Sequence, residues 1–394
     1  MKTKGVSVLV AGSLLQLFLG IIYVWSKFVK PVSAQFGWAI DDVKLTSSFM
    51  LCCFVLGILM GGRLLQKFKP SLVVLGGGLS VAVGFVITSF LPVGSPVFLI
   101  YISYGVLGGF GVGAAYNTII TCAQRWFPQK RALATGISVC MFGFSTVIFA
   151  PLVELLVKQT SLTLTLRILA LAFGAVTLLV FKFITLPEST ATAGGTALTG
   201  LNMKEAVRTK EFWLLTFSLM FSTAPFFILN PSINGLAPIY GLTPEFGTVL
   251  VIITGVANAV GRLAVPMLGG AIGSKKAAIV NAGLIAVGTA ALLFLRGGAF
   301  AVAVGLVAMC YGGLSGIYPL LTADALGLKN MATNYGAVMC GFMASSLIFP
   351  VIVGQFSTAE DTLPIDNNSK FVVLAVIAAV AMVLLLLTLG RKKR

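Results

Sequence analysis

Apolar runs of about 20 residues, the length an α-helix needs to cross the hydrocarbon core of a bilayer, recur along nearly all of this 394-residue chain. Divided by Pro, Gly or charged breaks, they fall near 6–29, 45–65, 71–92, 97–121, 132–156 and 162–186, then 212–236, 246–272, 276–295, 299–323, 334–356 and 370–390. Strands of an outer-membrane barrel are about ten residues long with alternating polarity, so continuous runs exclude a barrel. Helices remain, because they satisfy their own backbone in lipid. Only 10% of the residues are charged, where a soluble domain carries roughly 25%, and the mean hydropathy is +1.03. The expected fold class is an all-α membrane protein of twelve transmembrane helices, with the lipid bilayer as its solvent.

The formal charge of +16 is distributed over short loops and is not gathered on one soluble face, which argues against nucleic acid as a partner. With the N-terminus inside, nineteen of the 27 basic residues fall on the cytoplasmic side, including Arg63, Lys67, Lys69, Arg125, Lys130 and the tail Arg391-Lys392-Lys393-Arg394. The outer loops hold at most Lys27, Lys30, Lys44, Lys158, Arg296 and Lys370, alongside the acidic residues Asp41, Asp42, Glu245, Glu360, Asp361 and Asp366. A multi-pass inner-membrane protein with both termini cytoplasmic is expected. Lys2, Lys4 and Val32-Ser33-Ala34 imitate a signal peptide, but the apolar run 5–25 outlasts a typical h-region, so a retained first helix is expected.

Six cysteines stand at 52, 53, 122, 140, 310 and 340, with no CxxC spacing and no histidine in the chain. Such a pattern implies buried apolar thiols and neither a metal nor a redox cofactor.

The segment 187–211 is rich in Thr, Ala, Gly and Ser and then turns charged, and it divides six spans from six. Residues 192–200 read as a flexible linker and 204–208 as a short amphipathic helix at the membrane surface. Two six-helix halves, 1–186 and 212–394, joined by a cytoplasmic linker resemble the layout of the major facilitator superfamily, whose binding sites lie between the halves at mid-bilayer.

Ionisable residues inside spans are rare, which makes Arg262 the leading candidate for substrate contact. It lies well inside the eighth span, with no acidic residue within a helical turn on either side. Placing a guanidinium there costs at least a few kcal/mol unless it faces a wet cavity or meets an anion. Its planar fork of donors matches a carboxylate; the competing reading is helix-packing glue. Asn258, four residues earlier, shares its helical face and can orient the fork without neutralising it. Tyr116 and Asn117 follow a glycine run in the fourth span, and Tyr23, Tyr311 and Tyr318 are further candidates, with interfacial anchoring as the alternative. Arg167 is read as positional, with Glu154 as its partner. Pro225, Pro231, Pro266 and Pro319 are expected to bend their spans.

Three motifs carry a closer resemblance. Tyr23, Trp25, Ser26, Phe28 and Pro31 form the first; Arg125-Trp126-Phe127-Pro128 with Lys130, Arg131, Ala134 and Gly136 forms the second; Asn334-Tyr335-Gly336 forms the third. In these the chain resembles the oxalate/formate antiporter family, akin to the monocarboxylate transporters. The resemblance implies that Arg262 is the substrate-binding arginine and that Tyr23, Tyr116 and Tyr311 line a cavity. Relatives that carry oxalate have a lysine in the eleventh span where this chain has Phe342. A dianion in an apolar cavity needs two cationic partners and a monoanion one. In the loop 61–70, Gln66 and Lys69 stand where the superfamily's Asp and Gly are usual, so an Asp-mediated cytoplasmic lock is expected to be weakened or replaced.

The sequence therefore points to a monomeric carrier of a small monocarboxylate of lactate, pyruvate, formate or acetate type, by anion exchange or proton symport. The alternative is an oxalate-type antiporter with a second charge from Lys27. A proton would travel on the substrate or on a peripheral acid such as Glu154 or Asp324. The chain shows no intramembrane acid pair, nucleotide loop or metal cluster to support an enzyme, and no segment long enough for a signalling domain.

Overall fold

The computed structural model describes residues 2–187, 199–243, 245–354 and 364–389, and these are helical almost throughout. Most of the expected flexible linker, the acidic residues Glu360 and Asp361, and the basic tail lie outside the described residues; of Asp366 only the helical backbone is described. Helices α1 (Lys2–Leu19), α2 (Ser26–Phe36), α3 (Ile40–Leu64), α4 (Pro70–Ser89), α5 (Leu107–Trp126), α6 (Arg131–Gln159) and α7 (Leu162–Val180) come first. They are followed by α8 (Lys210–Ile239), α9 (Phe246–Ile272), α10 (Ser274–Ala291), α11 (Gly297–Leu326), α12 (Met331–Val338), α13 (Cys340–Gly354) and α14 (Pro364–Leu389).

Eleven spans among the described residues are long and apolar enough to cross a membrane. The twelfth position belongs to α10, which has 18 residues and opens on Ser274-Lys275-Lys276; it stops four residues short of the expected end at 295. One expected span, 334–356, is two helices: Met339 is a turn between α12 and α13. Pro266 and Pro319 sit inside the continuous helices α9 and α11, and Pro225 inside α8. The π-helical stretch Tyr101–Val106 leads into α5, and α1 passes into the 3-10 turn Gly20–Val24.

The chain forms two compact units, Met1–Met203 with Gly327–Ala337, and Lys204–Leu326 with Val338–Arg394. Within the first, α3 packs on α5, α4 on α5 and α7, and α1 on α6. Within the second, α9 packs on α11, α10 on α11 and α14, and α8 on α13 and α14. Chain order alone assigns 327–337 to the second half. The structure joins that segment to the first unit because backbone meets backbone there: a Cβ on Gly62 would collide with the Ala332 carbonyl, and one on Gly336 with the Leu59 backbone.

Close approach is general at the strongest contacts. Gly113 of α5 lies on the Phe54 carbonyl of α3, and Gly61 of α3 lies on the Ala114 backbone of α5. In lipid, where apolar burial between helices gains little, packing of this kind is what holds them together. Gly113→Ala is expected to destabilise the protein by about 1–3 kcal/mol through overpacking. Gly174→Ala on α7, whose added Cβ meets nothing within 4 Å, should be neutral or stabilising by up to about 1 kcal/mol. Thermal unfolding of the two variants in the same detergent checks the pair.

Candidate functional site

Arg262 is among the largest fully buried side chains, with 1% relative exposure. The α-helical periodicity of α9 brings Asn258 onto its face, and Nε of Arg262 donates to Oδ1 of Asn258 at 2.9 Å. An amide oxygen fixes the plane of the guanidinium without adding a formal charge. The pair is pressed against α11: a Cβ on Gly312 would strike the Asn258 carbonyl, and one on Gly316 would strike the Pro266 ring with the Arg262 carbonyl 2.9 Å away.

Beside Gly312, Tyr311 stacks on Phe226 of α8 with ring centroids 4.1 Å apart. Phe227 meets Tyr311 edge-on at 5.8 Å and Phe342 of α13 at 5.0 Å. Gly341 of α13 lies on the Thr216 carbonyl of α8, which sets the register that places Phe342 there. Four of the residues expected at the site, Arg262, Asn258, Tyr311 and Phe342, thus stand on α9, α11 and α13 of the second unit, each of which packs on α8.

In the first unit the expected tyrosines meet through a residue that the sequence did not single out. Phe142 of α6 is 4.9 Å from Tyr116 and 5.6 Å from Tyr23, and Phe54 lies 5.5 Å from Tyr116. Nothing in local spacing distinguishes Phe142, Phe226 or Phe227 from the other phenylalanines of a 29-Phe chain. The position of Phe226 and Phe227 directly after Pro225 is the one available signal.

Asn117 does not join this cluster. It is fully buried, and its amide donates to the carbonyls of Ile58 at 2.8 Å and Ala332 at 2.7 Å. Its role is to tie α3 and α12 to α5. Tyr318 is likewise committed, donating to Ser218 at 2.9 Å between α11 and α8. The expected pairing of Arg167 with Glu154 is corrected. Glu154 pairs with Lys27 at 2.8 Å and Lys158 at 2.9 Å, while Arg167 lies over the Phe90 ring at 4.5 Å. Arg167 faces an aromatic ring within its own reach, and Glu154 sits one helical turn from Lys158.

Further ties fasten the segment 327–337 within the first unit, to the loop after α3, to α5 and to Leu201. Gln66 Nε2 donates to Thr333 Oγ1 at 2.9 Å, Arg125 to the Lys329 carbonyl at 2.8 Å, and Asn334 to the Leu201 carbonyl at 3.0 Å. The acceptors in these ties are neutral oxygens.

Apolar membrane-crossing helices with an arginine buried inside one of them fit a membrane transporter. Residues 8–350 match the Major Facilitator Superfamily, and the chain belongs to that family. It is 26% identical to the MFS-type transporter YhjX of Escherichia coli over 343 residues, 84% of this chain and 83% of that protein. It is 25% identical to the oxalate:formate antiporter of Oxalobacter formigenes over 97% of this chain and 90% of that one. It is 26% identical to monocarboxylate transporter 13 of Rattus norvegicus over 82% and 74% of the two chains. The structure of the E. coli fucose:proton symporter FucP shares the fold, with a TM-score of 0.73 over 97% of this chain and 98% of that one at 15% identity.

The assignment of Asn117 to the framework makes an expectation. Asn117→Ala loses two buried hydrogen bonds and should lower stability by about 1–3 kcal/mol, leaving the apparent affinity for substrate unchanged. Asn117→Asp, which sets an acceptor against two carbonyls, should cost more. Thermal unfolding read beside concentration-dependent uptake in liposomes checks both.

Proposed function

We propose that this transporter carries a small monocarboxylate of lactate, pyruvate, formate or acetate type by alternating access, either exchanging one anion for another or moving a proton with it. The observation that carries the reading is the Arg262–Asn258 pair of α9, with Arg262 buried and Asn258 partly buried, in the same unit as Tyr311 and Phe342. The planar donor fork of a guanidinium matches one carboxylate, and the bond from Nε to Asn258 fixes the plane of that fork. The names of two relatives, an oxalate:formate antiporter and a monocarboxylate transporter, support the same substrate class.

A monoanion is favoured over oxalate by the buried aromatic ring of Phe342 where a second cation would be needed, and by the engagement of Lys27 with Glu154. Tyr23 and Tyr116 remain candidate substrate contacts of the first unit. The loop-charge bias supports an inner-membrane location with cytoplasmic termini.

Purified protein reconstituted with a panel of labelled mono- and dicarboxylates tests the substrate. Unlabelled internal substrate that speeds labelled uptake identifies exchange, whereas accumulation driven by an imposed proton gradient alone identifies symport. Failure to transport any monocarboxylate would overturn the reading. In the same liposomes Arg262→Ala should abolish uptake and Arg262→Lys should retain little, since the fork is lost. Asn258→Asp should be as damaging as Arg262→Ala, because a carboxylate at 2.9 Å would occupy the cation, while Asn258→Ala should be milder.

Phe342→Lys should weaken monocarboxylate uptake and make a dicarboxylate a stronger competitor, by tenfold or more where the second charge is worth about 1.4 kcal/mol or above. Inhibition of labelled uptake by unlabelled oxalate, compared between wild type and variant, reads this out.

A further inference from the structure

Outside the candidate site, the second unit has a groove of about 440 Å³ lined by Lys210, Glu211, Trp213, Leu214, Phe217, Leu387 and Thr388. It is formed where the N-terminal end of α8 meets the C-terminal end of α14, elements that pack on each other. The volume falls within the roughly 300–1,000 Å³ usual for a small-molecule site. Its composition is graded along its length. Lys210 is at the end of the helix, and Trp213, Phe217 and Leu387 continue along the span with exposed apolar faces.

The chemistry of the end is cationic. Lys210 stands in the first turn of a 30-residue helix, whose free N–H groups and dipole favour an anion. Lys275 of α10 reaches the same end, donating from Nζ to the Thr388 carbonyl at 3.2 Å. An ammonium has three donors, and that bond uses one. Trp213 marks the depth. Its Nε1 donates to the Val207 carbonyl at 2.9 Å and its ring stacks on Phe217 at 5.7 Å, so the polar edge points toward the membrane surface and the apolar body toward the hydrocarbon. Glu211 is the one acidic lining residue and opposes an anion at this end.

The geometry points to a seat for one anionic phospholipid, with its phosphate between Lys210 and Lys275 and an acyl chain along Trp213, Phe217 and Leu387. An apolar trough alone would accept any lipid chain. Two ammonium groups at a helix N-terminus select a headgroup with net negative charge. The lipid would clamp α8 to α14 and α10, and hence steady the base of the helix that carries Phe226 and Phe227.

The test is native mass spectrometry of the full chain in mild detergent doped with either a phosphatidylglycerol or a phosphatidylcholine of identical acyl chains. Wild type is expected to retain one phosphatidylglycerol in preference to phosphatidylcholine. Each of Lys210→Gln and Lys275→Gln should weaken retention roughly fivefold and the double variant about 25-fold, while Glu211→Gln should tighten it. A phosphatidylglycerol brominated on its acyl chain should quench wild-type tryptophan fluorescence more than it quenches Trp213→Phe. Equal retention of the two lipids by wild type overturns the proposal, as does undiminished retention of phosphatidylglycerol by the double lysine variant. Displacement of the lipid by millimolar inorganic phosphate would also overturn it, since the acyl chain would then contribute nothing. These readouts do not depend on which solute the protein carries.

Discussion

Helices in a bilayer gain little by burying Leu against Leu, because the lipid they leave is equally apolar. What remains is close packing, and in this protein it is backbone against backbone through glycine. The contact of Gly113 with Phe54 and Gly61 with Ala114 holds α3 to α5, and that of Gly261 with Met309 and Gly312 with Asn258 holds α9 to α11. The placement of Arg262 hangs on the second of these. Asn258 and Arg262 present their carbonyls to glycines of α11 and their side chains to each other, so the guanidinium is positioned by the same turns that pack the helices. A helix held by large side chains would sit farther from α11 and would leave Arg262 with more freedom to move.

The neighbour that Arg262 meets on its own helix is an amide. An acid beside Arg262 would neutralise it, whereas Asn258 orients it without adding a formal charge. Tyr311, Phe226, Phe227 and Phe342 form stacked and edge-on contacts that join α8, α11 and α13.

How much of this was legible in the sequence follows the range of the physics involved. The spans were readable because hydropathy is local; even so, α10 falls short of its expected end and the eleventh span is divided at Met339. Arg262 was readable because an ionisable residue inside a span is rare, and its pairing with Asn258 because four residues make one helical turn. The partners of Glu154 and Arg167 were not readable, since Lys27 lies 127 residues from Glu154 in the chain. Phe142 was invisible for a related reason: its importance is its position among Tyr23, Phe54 and Tyr116, three residues on other elements.

Asn117 marks the limit most clearly. As a sequence feature, a polar amide beside Tyr116 after a glycine run suggests a cavity. In the folded chain the glycines bring α3 so near that the amide meets the Ile58 carbonyl, and the head of α12 supplies a second carbonyl from Ala332. Arg125 and Asn334 repeat the pattern with the carbonyls of Lys329 and Leu201. Side-chain pattern alone could not expose a fastening whose acceptors are main chain, because every residue has a carbonyl. The lack of the usual Asp near Gln66 is then coherent. Where the acceptors that hold 327–337 to the first unit are backbone and hydroxyl oxygens, a carboxylate in the loop would have fewer donors left to receive. Such ties persist through changes of pH and salt that would weaken a surface ion pair.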